Sequence, residues 1–419
     1  MTETSGASGL GAVLVVGGGI SGMTAALEAA EVGKDVFLVE KNSYMGGRVA
    51  QLNQYFPKLC PPSCGMEINF KRIQGNRKIR MYNMTEVKSV AGSAGNYQVS
   101  LETAPRFVKG NCTACGACAE VCLEECDNAF NFNMDKTKAA YRPHEMAFPM
   151  RYVIDPQACT KCGKCVEACK YDAIDLDMKP VNFELQVDSI IWATGWNPYD
   201  ATKMENLKFN DSDAIITNMM MERLAAPGGP TSGKILRPGD NKEPESIAFI
   251  QCAGSRDENH LEYCSYICCM ATMKQITYVR ERYPEIPIYV FYIDLRTPGK
   301  YEKFREKLMG DPNTKFIKGK VADIVPDADG GVTLIAENAV TGQKIQQKVD
   351  LAVLATGMEP AAKGMVAAMG ATVDNNGFII SDADKAMLSA GCAKKAADVV
   401  TSTQNATAAA LKAIQVSRR

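Results

Sequence analysis

Sixteen cysteines among 419 residues, against only two histidines, His144 and His260, are the side chains best able to do chemistry in this chain. Eight of them fall into two copies of one spacing, Cys112-x2-Cys115-x2-Cys118-x3-Cys122 and Cys159-x2-Cys162-x2-Cys165-x3-Cys169. Two matched thiol quartets of this kind suit iron–sulfur ligation; zinc is the competing reading of C-x2-C pairs, but zinc sites seldom arrive as two such quartets. Four more thiols, Cys252, Cys264, Cys268 and Cys269, lie within 18 residues. Their spacing belongs to no common cluster or zinc pattern, so a metal site and a vicinal Cys268–Cys269 disulfide both stay open. Cys60-Pro61-Pro62-Ser63-Cys64 offers a dithiol, and Cys126 and Cys392 stand alone. At about 4% of residues, cysteine is too sparse for a small secreted disulfide scaffold. Two histidines leave little room for His-based catalysis or a typical zinc enzyme, and redox chemistry on bound cofactors is the default.

The paired quartets resemble a bacterial two-cluster ferredoxin, in which three thiolates from one repeat and the fourth from the other hold each cubane. Cys112, Cys115, Cys118 and Cys169 are then expected to hold one [4Fe–4S] cluster, and Cys159, Cys162, Cys165 and Cys122 the other. Two departures stand out. Leu123 and Lys170 replace the usual proline after the fourth cysteine, and the 36 residues between Cys122 and Cys159 leave room for an extra loop around Tyr141–Met150.

The elements that must position this chemistry begin at the N-terminus. Ala12–Val16 is a short apolar run fit for a buried parallel strand. Gly17-Gly18-Gly19-Ile20-Ser21-Gly22 follows, then an alanine-rich helix Met23–Val32, then the strand Asp35–Val39 with Glu40 at its tip. This is a G-x-G-x-x-G inside a βαβ unit. Gly17 permits the tight turn, Gly19 lets backbone amides approach a pyrophosphate at the helix N-terminus, and Gly22 lets helix and strand pack closely. Glu40 is placed to accept a bond from a ribose hydroxyl. The segment from Glu40 to Gly46-Gly47-Arg48 resembles the FAD-binding half of two-dinucleotide flavoproteins. Two later strands, Ile190–Gly195 and Leu351–Gly357, each end in Ala-Thr-Gly. In that resemblance they mark where the chain returns to the FAD fold. Tyr97–Thr103 and Val181–Val187 read as neighbouring strands of one meander, interrupted by the ferredoxin-like segment.

NAD(P)H-linked relatives carry a second glycine fingerprint in mid-chain. Here the strand Ser246–Ile250 runs into Gln251-Cys252-Ala253-Gly254-Ser255-Arg256, with one glycine of the fingerprint left. A nicotinamide pyrophosphate would lose its close backbone approach. The run Phe249–Arg256, with Tyr263-Cys264-Ser265-Tyr266-Ile267-Cys268-Cys269-Met270, resembles the signature of the heterodisulfide reductase A-subunit family of iron–sulfur flavoproteins. The resemblance implies that Cys252, Cys264, Cys268 and Cys269 bind a third [4Fe–4S] cluster. It also implies FAD contacts at Gly17, Gly18, Gly19, Ser21, Gly22, Glu40, Lys41, Gly47, Arg48, Val87, Thr194, Gly195, Gly391 and Asp398. Gly391-Cys392-Ala393 matches that family too, which makes Cys392 a structural thiol near the flavin. Arg256 is read either as a flavin-side cation or as a surface ion pair, and His260 as a loop histidine.

The expected fold is an α/β two-dinucleotide-binding-domain FAD flavoprotein with disulfide reductase-like Rossmann folds and an inserted α+β two-cluster ferredoxin domain. Its expected parts are an FAD-binding domain over 1–105, 181–243 and 351–419, the insertion over 106–180, and a second dinucleotide fold over 244–350. The formal charge of -1 speaks against a nucleic-acid-wrapping protein or a polybasic anchor. The uncharged stretch Thr4–Leu27 has seven glycines and no basic flank, which fits a signal peptide or spanning helix poorly. The chain is therefore expected to be cytoplasmic, with no direct membrane span.

Methanogen-type members of the family carry a further C-terminal ferredoxin domain, whereas this chain ends at Arg419 after the helix Thr403–Val416. A compact chain of this kind resembles the A-type subunits of quinone-interacting membrane-bound oxidoreductases of sulfate reducers. That resemblance implies three partners, with peripheral attachment to the inner membrane: adenylylsulfate reductase, a second iron–sulfur flavoprotein subunit, and a haem-bearing membrane subunit. Electrons would pass through FAD and three [4Fe–4S] clusters. The catalytic group is then FAD itself. The alternatives are an NAD(P)H-dependent disulfide reductase using Cys60 and Cys64, and a non-catalytic scaffold subunit.

Overall fold

The computed structural model describes residues 11–362 and 364–417, so residues 4–10 of the uncharged stretch lie outside the described residues. The chain forms two units: residues 1–51, 55–196 and 360–419 make the first, and 52–54 with 197–359 make the second. Each unit is built on the same plan.

In the first unit, five parallel strands run in the order Met387–Ser389, Ser189–Trp192, Val13–Val16, Val36–Glu40, Ile79–Asn83. The inner strands are apolar on both faces because both faces are covered, as parallel sheets require. Helix Ile20–Glu31 packs one face with its alanines, and the C-terminal helix Val399–Val416 lies beside it through Ala406, Ala409, Ala410 and Ala413. Small side chains let these backbones approach. The other face meets an antiparallel meander in which Asn96–Thr103 pairs with both Thr85–Ser93 and Val181–Val187. The outer pairing sets Val181 opposite Thr103 and Val187 opposite Tyr97. The intervening segment therefore leaves and re-enters the sheet at one point.

In the second unit, five parallel strands run in the order Ile215–Thr217, Leu351–Thr356, Ile247–Ala253, Ile288–Tyr292, Thr314–Lys318. A three-stranded antiparallel meander, Val321–Pro326, Val332–Glu337 and Lys344–Val349, accompanies it. The helix Cys268–Arg282 follows Ile247–Ala253, where a dinucleotide fold has its phosphate-facing helix.

Two boundaries differ from the expected ones. Residues 197–243 and the strand Leu351–Thr356 belong to the second unit. The physical reason is that Leu351–Thr356, fully buried, hydrogen-bonds on both sides to strands of the second sheet. The second Ala-Thr-Gly therefore closes a strand of the second unit, and the return to the first comes at Pro360. The insertion also groups with the first unit instead of standing apart. Arg106, 8% exposed, donates to the carbonyls of Tyr152 and Arg151 inside it and of Ser43 beside the dinucleotide turn, at 2.8–3.1 Å. Among the described residues, no helix is long and apolar enough to cross a membrane.

Candidate flavin and iron–sulfur sites

The glycine turn separates into residues needed by the protein and one that the protein does not need. A Cβ on Gly22 would sit 1.7 Å from the Gly17 carbonyl oxygen, and one on Gly17 2.2 Å from that of Ala193. One on Gly18 would meet the Met45 sulfur at 2.1 Å. These three glycines serve packing between strand, helix and the neighbouring loop. Gly19 differs: its backbone is extended, with φ -74°, and its Cβ would meet only the Gly47 Cα at 3.8 Å. Gly19 caps the helix Ile20–Glu31 with no side chain of its own, so the first turn keeps its amides and its positive end for an anion. The Gly46 amide donates to the Gly18 carbonyl at 2.8 Å, which lays Gly46-Gly47 against this turn. Gly46 is thus a further residue of the site, and its signal is the same Gly-Gly-Arg run.

Glu40, 5% exposed, accepts from the Gly18 amide at 2.7 Å through Oε2, and from the Asn42 amide and side chain at 2.8 Å through Oε1. Burial raises its pKa and these donors oppose the shift. A remaining lone pair on Oε2 suits a ribose hydroxyl. The Thr194 hydroxyl, beside the same turn, is buried with no hydrogen-bond partner. An orphan hydroxyl of this kind asks for a ligand or water. Together, the open cradle at Gly19, the unfilled capacity of Glu40 and the orphan Thr194 fit FAD.

The other expected flavin contacts have mixed surroundings. Arg48 donates to the Trp196 carbonyl at 3.2 Å and to Gln51 at 2.9 Å, and burial lowers its pKa. Ser21 and Gly391 lie against each other, since a Cβ on Gly391 would meet the Ser21 hydroxyl at 2.1 Å. Gly195 takes a left-handed conformation, and its carbonyl accepts from Ala361. Val87 is buried in the meander core and Lys41 is exposed. Asp398 spends one oxygen on capping the C-terminal helix, accepting from the Thr401 amide at 2.7 Å. The helix expected over Thr403–Val416 therefore starts earlier, at Val399. Cys392 is buried, donates to the Ala397 carbonyl at 3.3 Å and has its pKa pushed up to about 11 by burial.

The two ferredoxin-like repeats share one local geometry. Ala114 and Gly116 in the first, and Lys161 and Gly163 in the second, all take positive φ. That curls each C-x2-C-x2-C so that the Ala114 amide donates to the Cys112 sulfur and the Lys161 amide to the Cys159 sulfur, both at 3.4 Å. Gly116 and Gly163 then cap short helices whose first turns hold the buried Cys118 and Cys165. Cys122, Cys159, Cys162 and Cys165 line one cavity. Cys165 feels Cys159, Cys162 and Cys122 electrostatically, and Cys118 feels Cys112; burial is the largest cause raising both pKa values, Cys118 to about 12. Thiols crowded and buried in this way become thiolates only beside a compensating cation, which suits metal. Among the described residues, no three Cys, His, Asp or Glu side chains are close enough to share a single metal ion. Cys126 makes a long contact to the Lys138 carbonyl, at 3.8 Å.

The extra loop in this segment reaches the flavin-side loop of the same unit. His144 stacks on Phe130 with centroids 4.6 Å apart, and Tyr44 meets both edge-on. The Met45 amide donates to the Phe148 carbonyl at 2.8 Å, and Gln51 to that of Phe130 at 3.1 Å.

In the second unit, the strand bearing Cys252 runs beyond its expected end to Ala253, with Cys252 at φ +56° and a register shift between Ile250 and Ala253. Gly254 follows with positive φ, packed on the Tyr199 ring. Cys268 and Cys269 open the next helix, and the loop carrying Cys264 is tied down by Ser255 and Ser265, whose hydroxyls lie 2.6 Å apart. The four thiols are mutual neighbours: Cys268 is raised well above its ordinary pKa by burial, then by Cys252, Cys269 and Cys264. Burial pushes Cys252 up to about 11. The quartet, three of its thiols buried and Cys264 half-buried, fits a metal cluster. Arg256 pairs with Asp294 at 2.6 Å, and His260 Nδ1 bonds the Tyr199 hydroxyl at 2.9 Å.

A buried network in this unit has no signal in the local sequence. Glu222 accepts from Lys274 at 3.1 Å, Gln275 at 2.7 Å, the Tyr278 hydroxyl at 3.2 Å and the Asn53 amide at 3.0 Å. Glu222 lies on a helix 52 residues before Lys274, and local periodicity cannot report such a pairing.

A family model for FAD-dependent oxidoreductases matches residues 12–73, and one for 4Fe-4S binding domains matches residues 152–175. Thioredoxin reductases of T. acidophilum (TM-score 0.55, 12% identity, 97% of this chain and 98% of that one) and Lactococcus lactis (0.54, 14%, 97% and 98%) share the fold. Fold and sites thus define an FAD-dependent oxidoreductase with a 4Fe–4S ferredoxin motif. An iron-sulfur A-subunit of the CoB–CoM heterodisulfide reductase of Methanopyrus kandleri is 41% identical over 83% of this chain and 54% of its own length. The A-subunit of the ferredoxin/F420H2-dependent CoB–CoM heterodisulfide reductase of Methanosarcina acetivorans is 36% identical over 96% of this chain and 53% of its own. The chain belongs to the heterodisulfide reductase A-subunit family, and spans about half the length of these relatives.

Proposed function

We propose that this chain is the FAD and iron–sulfur electron-transfer subunit of a heterodisulfide reductase-like complex. The observation that carries the reading is a substitution of chemistry on one fold. The first unit keeps an open glycine cradle, while the corresponding strand–turn–helix of the second carries four crowded thiols in place of a nicotinamide fingerprint. Bound FAD exchanges one or two electrons and each cubane exchanges one. The protein's part is to hold them. Gly17–Gly22 and Glu40 bind the dinucleotide, and Cys112, Cys115, Cys118 and Cys169 are assigned to one cluster. Cys159, Cys162, Cys165 and Cys122 are assigned to the second, and Cys252, Cys264, Cys268 and Cys269 to the third. The amides of Ala114, Lys161 and Tyr266 donate to the sulfurs of Cys112, Cys159 and Cys264, and bonds of that kind raise cluster potentials.

The finer reading rests on the resemblance to quinone-interacting membrane-bound oxidoreductases. In it the chain passes electrons between a membrane menaquinone oxidoreductase and adenylylsulfate reductase in dissimilatory sulfate reduction. Its partners are a second iron–sulfur flavoprotein and a haem-bearing membrane subunit, and it is peripheral to the cytoplasmic face of the inner membrane.

Anaerobic iron, sulfide and flavin quantification with EPR after reduction tests the cofactor reading. Three cubanes give about 12 irons per chain. About eight would remove the third site, and none would overturn the proposal. The finer reading requires that menaquinol reduce the bound flavin only when the partner subunits are present.

A further inference from the structure

Cys60 and Cys64 are not among the residues assigned to the dinucleotide or the clusters, yet the fold holds them near each other. The Cys60 thiol lies beside that of Cys64, close enough to feel it. Each is fixed by its own element. Cys60 closes a small loop on Tyr55, whose amide donates to the Cys60 carbonyl at 3.1 Å while Leu59 donates back to the Tyr55 carbonyl at 3.0 Å. Cys64 sits in the first turn of the helix Ser63–Gly75, where its amide donates to the Pro61 carbonyl at 3.0 Å. Pro61 and Pro62 join the two with fixed φ, so little backbone freedom remains to separate them. Tyr55 lies over the pair: a Cβ on Gly65 would be 2.3 Å from its hydroxyl, and both thiols raise its pKa after burial has done so. Cys64 is exposed and Cys60 half-buried. Residual burial and the Cys64 thiol push the Cys60 thiol up.

We infer that Cys60 and Cys64 form a thiol–disulfide exchange site that cycles between dithiol and intrachain disulfide against an organic disulfide, R–S–S–R. The exposed Cys64 sulfur attacks R–S–S–R, the R–S–S–R bond breaks, and the first RS⁻ leaves with the proton that Cys64 gave up. Cys60 then loses its proton and attacks the Cys64 sulfur of the mixed disulfide, releasing the second RS⁻, which takes that proton. Two protein thiols are oxidised and one disulfide is reduced to two thiols. The reverse sequence restores the dithiol. This chemistry needs neither FAD nor iron, so it stands apart from the electron-transfer reading.

The test uses the whole chain with its cofactors, kept anaerobic and equilibrated in buffers of reduced and oxidised glutathione. Free thiols are trapped with iodoacetamide and the peptide carrying both residues is weighed. The expected result is a reversible switch between a doubly alkylated peptide and one lacking both alkyl groups and two hydrogens. In Cys60→Ser the resolving step is lost, and glutathione should accumulate on Cys64. In Cys64→Ser, Cys60 should gain far less. A peptide that stays doubly alkylated in every buffer, or Cys64 left bare in Cys60→Ser, overturns the inference. Flavin and iron contents of the same samples report separately on folding and on the cofactor reading.

Discussion

Substituting Gly19 and Gly22 by alanine separates a ligand cradle from a packing requirement. At Gly22 the added carbon would stand 1.7 Å from a backbone oxygen that cannot move aside. Overpacking of that kind costs about 3 kcal/mol or more, and Gly22→Ala should lower the stability of the flavin-free protein. At Gly19 the same carbon meets nothing closer than 3.8 Å, and the backbone is already in a conformation alanine adopts. The cost to the flavin-free chain is about 1 kcal/mol, that of a poorer helix N-cap. With FAD bound, that carbon would stand where the pyrophosphate approaches the helix. An overpacking cost of about 1–3 kcal/mol there corresponds to about 5- to 150-fold weaker binding. Urea denaturation of deflavinated protein gives the first quantity, and quenching of flavin fluorescence on titration gives the second. The expected pattern is a stable Gly19→Ala that binds FAD poorly and a Gly22→Ala that is unstable whether or not flavin is added. If Gly19→Ala bound FAD as tightly as the parent, the open space beside Gly19 would not be the pyrophosphate site.

Three further outcomes follow from the geometry. Glu222→Ala leaves the Lys274 ammonium, 4% exposed, buried without its counter-charge. It should destabilise the second unit by about 3–5 kcal/mol in urea, and Glu222→Leu with Lys274→Met should recover much of that loss. Arg106→Ala removes three charge-assisted bonds to carbonyls and leaves those acceptors buried, at about 1.5–3 kcal/mol for the first bond lost. Its signature should be proteolysis within residues 106–180 that precedes global unfolding. Cys392, pushed up to about 11, is about a thousandth thiolate at pH 8. Native protein should resist iodoacetamide at that residue until the pH approaches its pKa, while Cys64 reacts readily; equal labelling of both at pH 8 would contradict the burial of Cys392.

The chemistry was legible in the sequence wherever its ligands lie close together along the chain. The repeated cysteine spacing is matched by a repeated curl, with positive φ at the equivalent positions Ala114 and Lys161 and at Gly116 and Gly163. The glycine turn with Glu40 was readable for the same reason, its strand, helix and second strand being local and periodic. The pairing of Asn96–Thr103 with Val181–Val187 could also be foreseen, since both alternate and only an insertion separates them.

Tertiary structure decided what depends on elements far apart. The strand Leu351–Thr356 reads as an apolar run before Ala-Thr-Gly, and nothing local states which sheet it joins; its two hydrogen-bonded neighbours assign it to the second unit. Arg106 and Glu222 look like surface charges in sequence, yet both are buried and answered by partners up to 169 residues away. The motif already set Gly19 apart from Gly17 and Gly22; the surrounding atoms add that Gly18 too serves packing and that Gly19 alone of the four leaves room for a ligand. Of the sixteen cysteines, spacing alone marked eight. The crowding of Cys252, Cys264, Cys268 and Cys269, and the nearness of Cys60 to Cys64 and Tyr55, come from the folded chain, because burial and proximity are properties of packing.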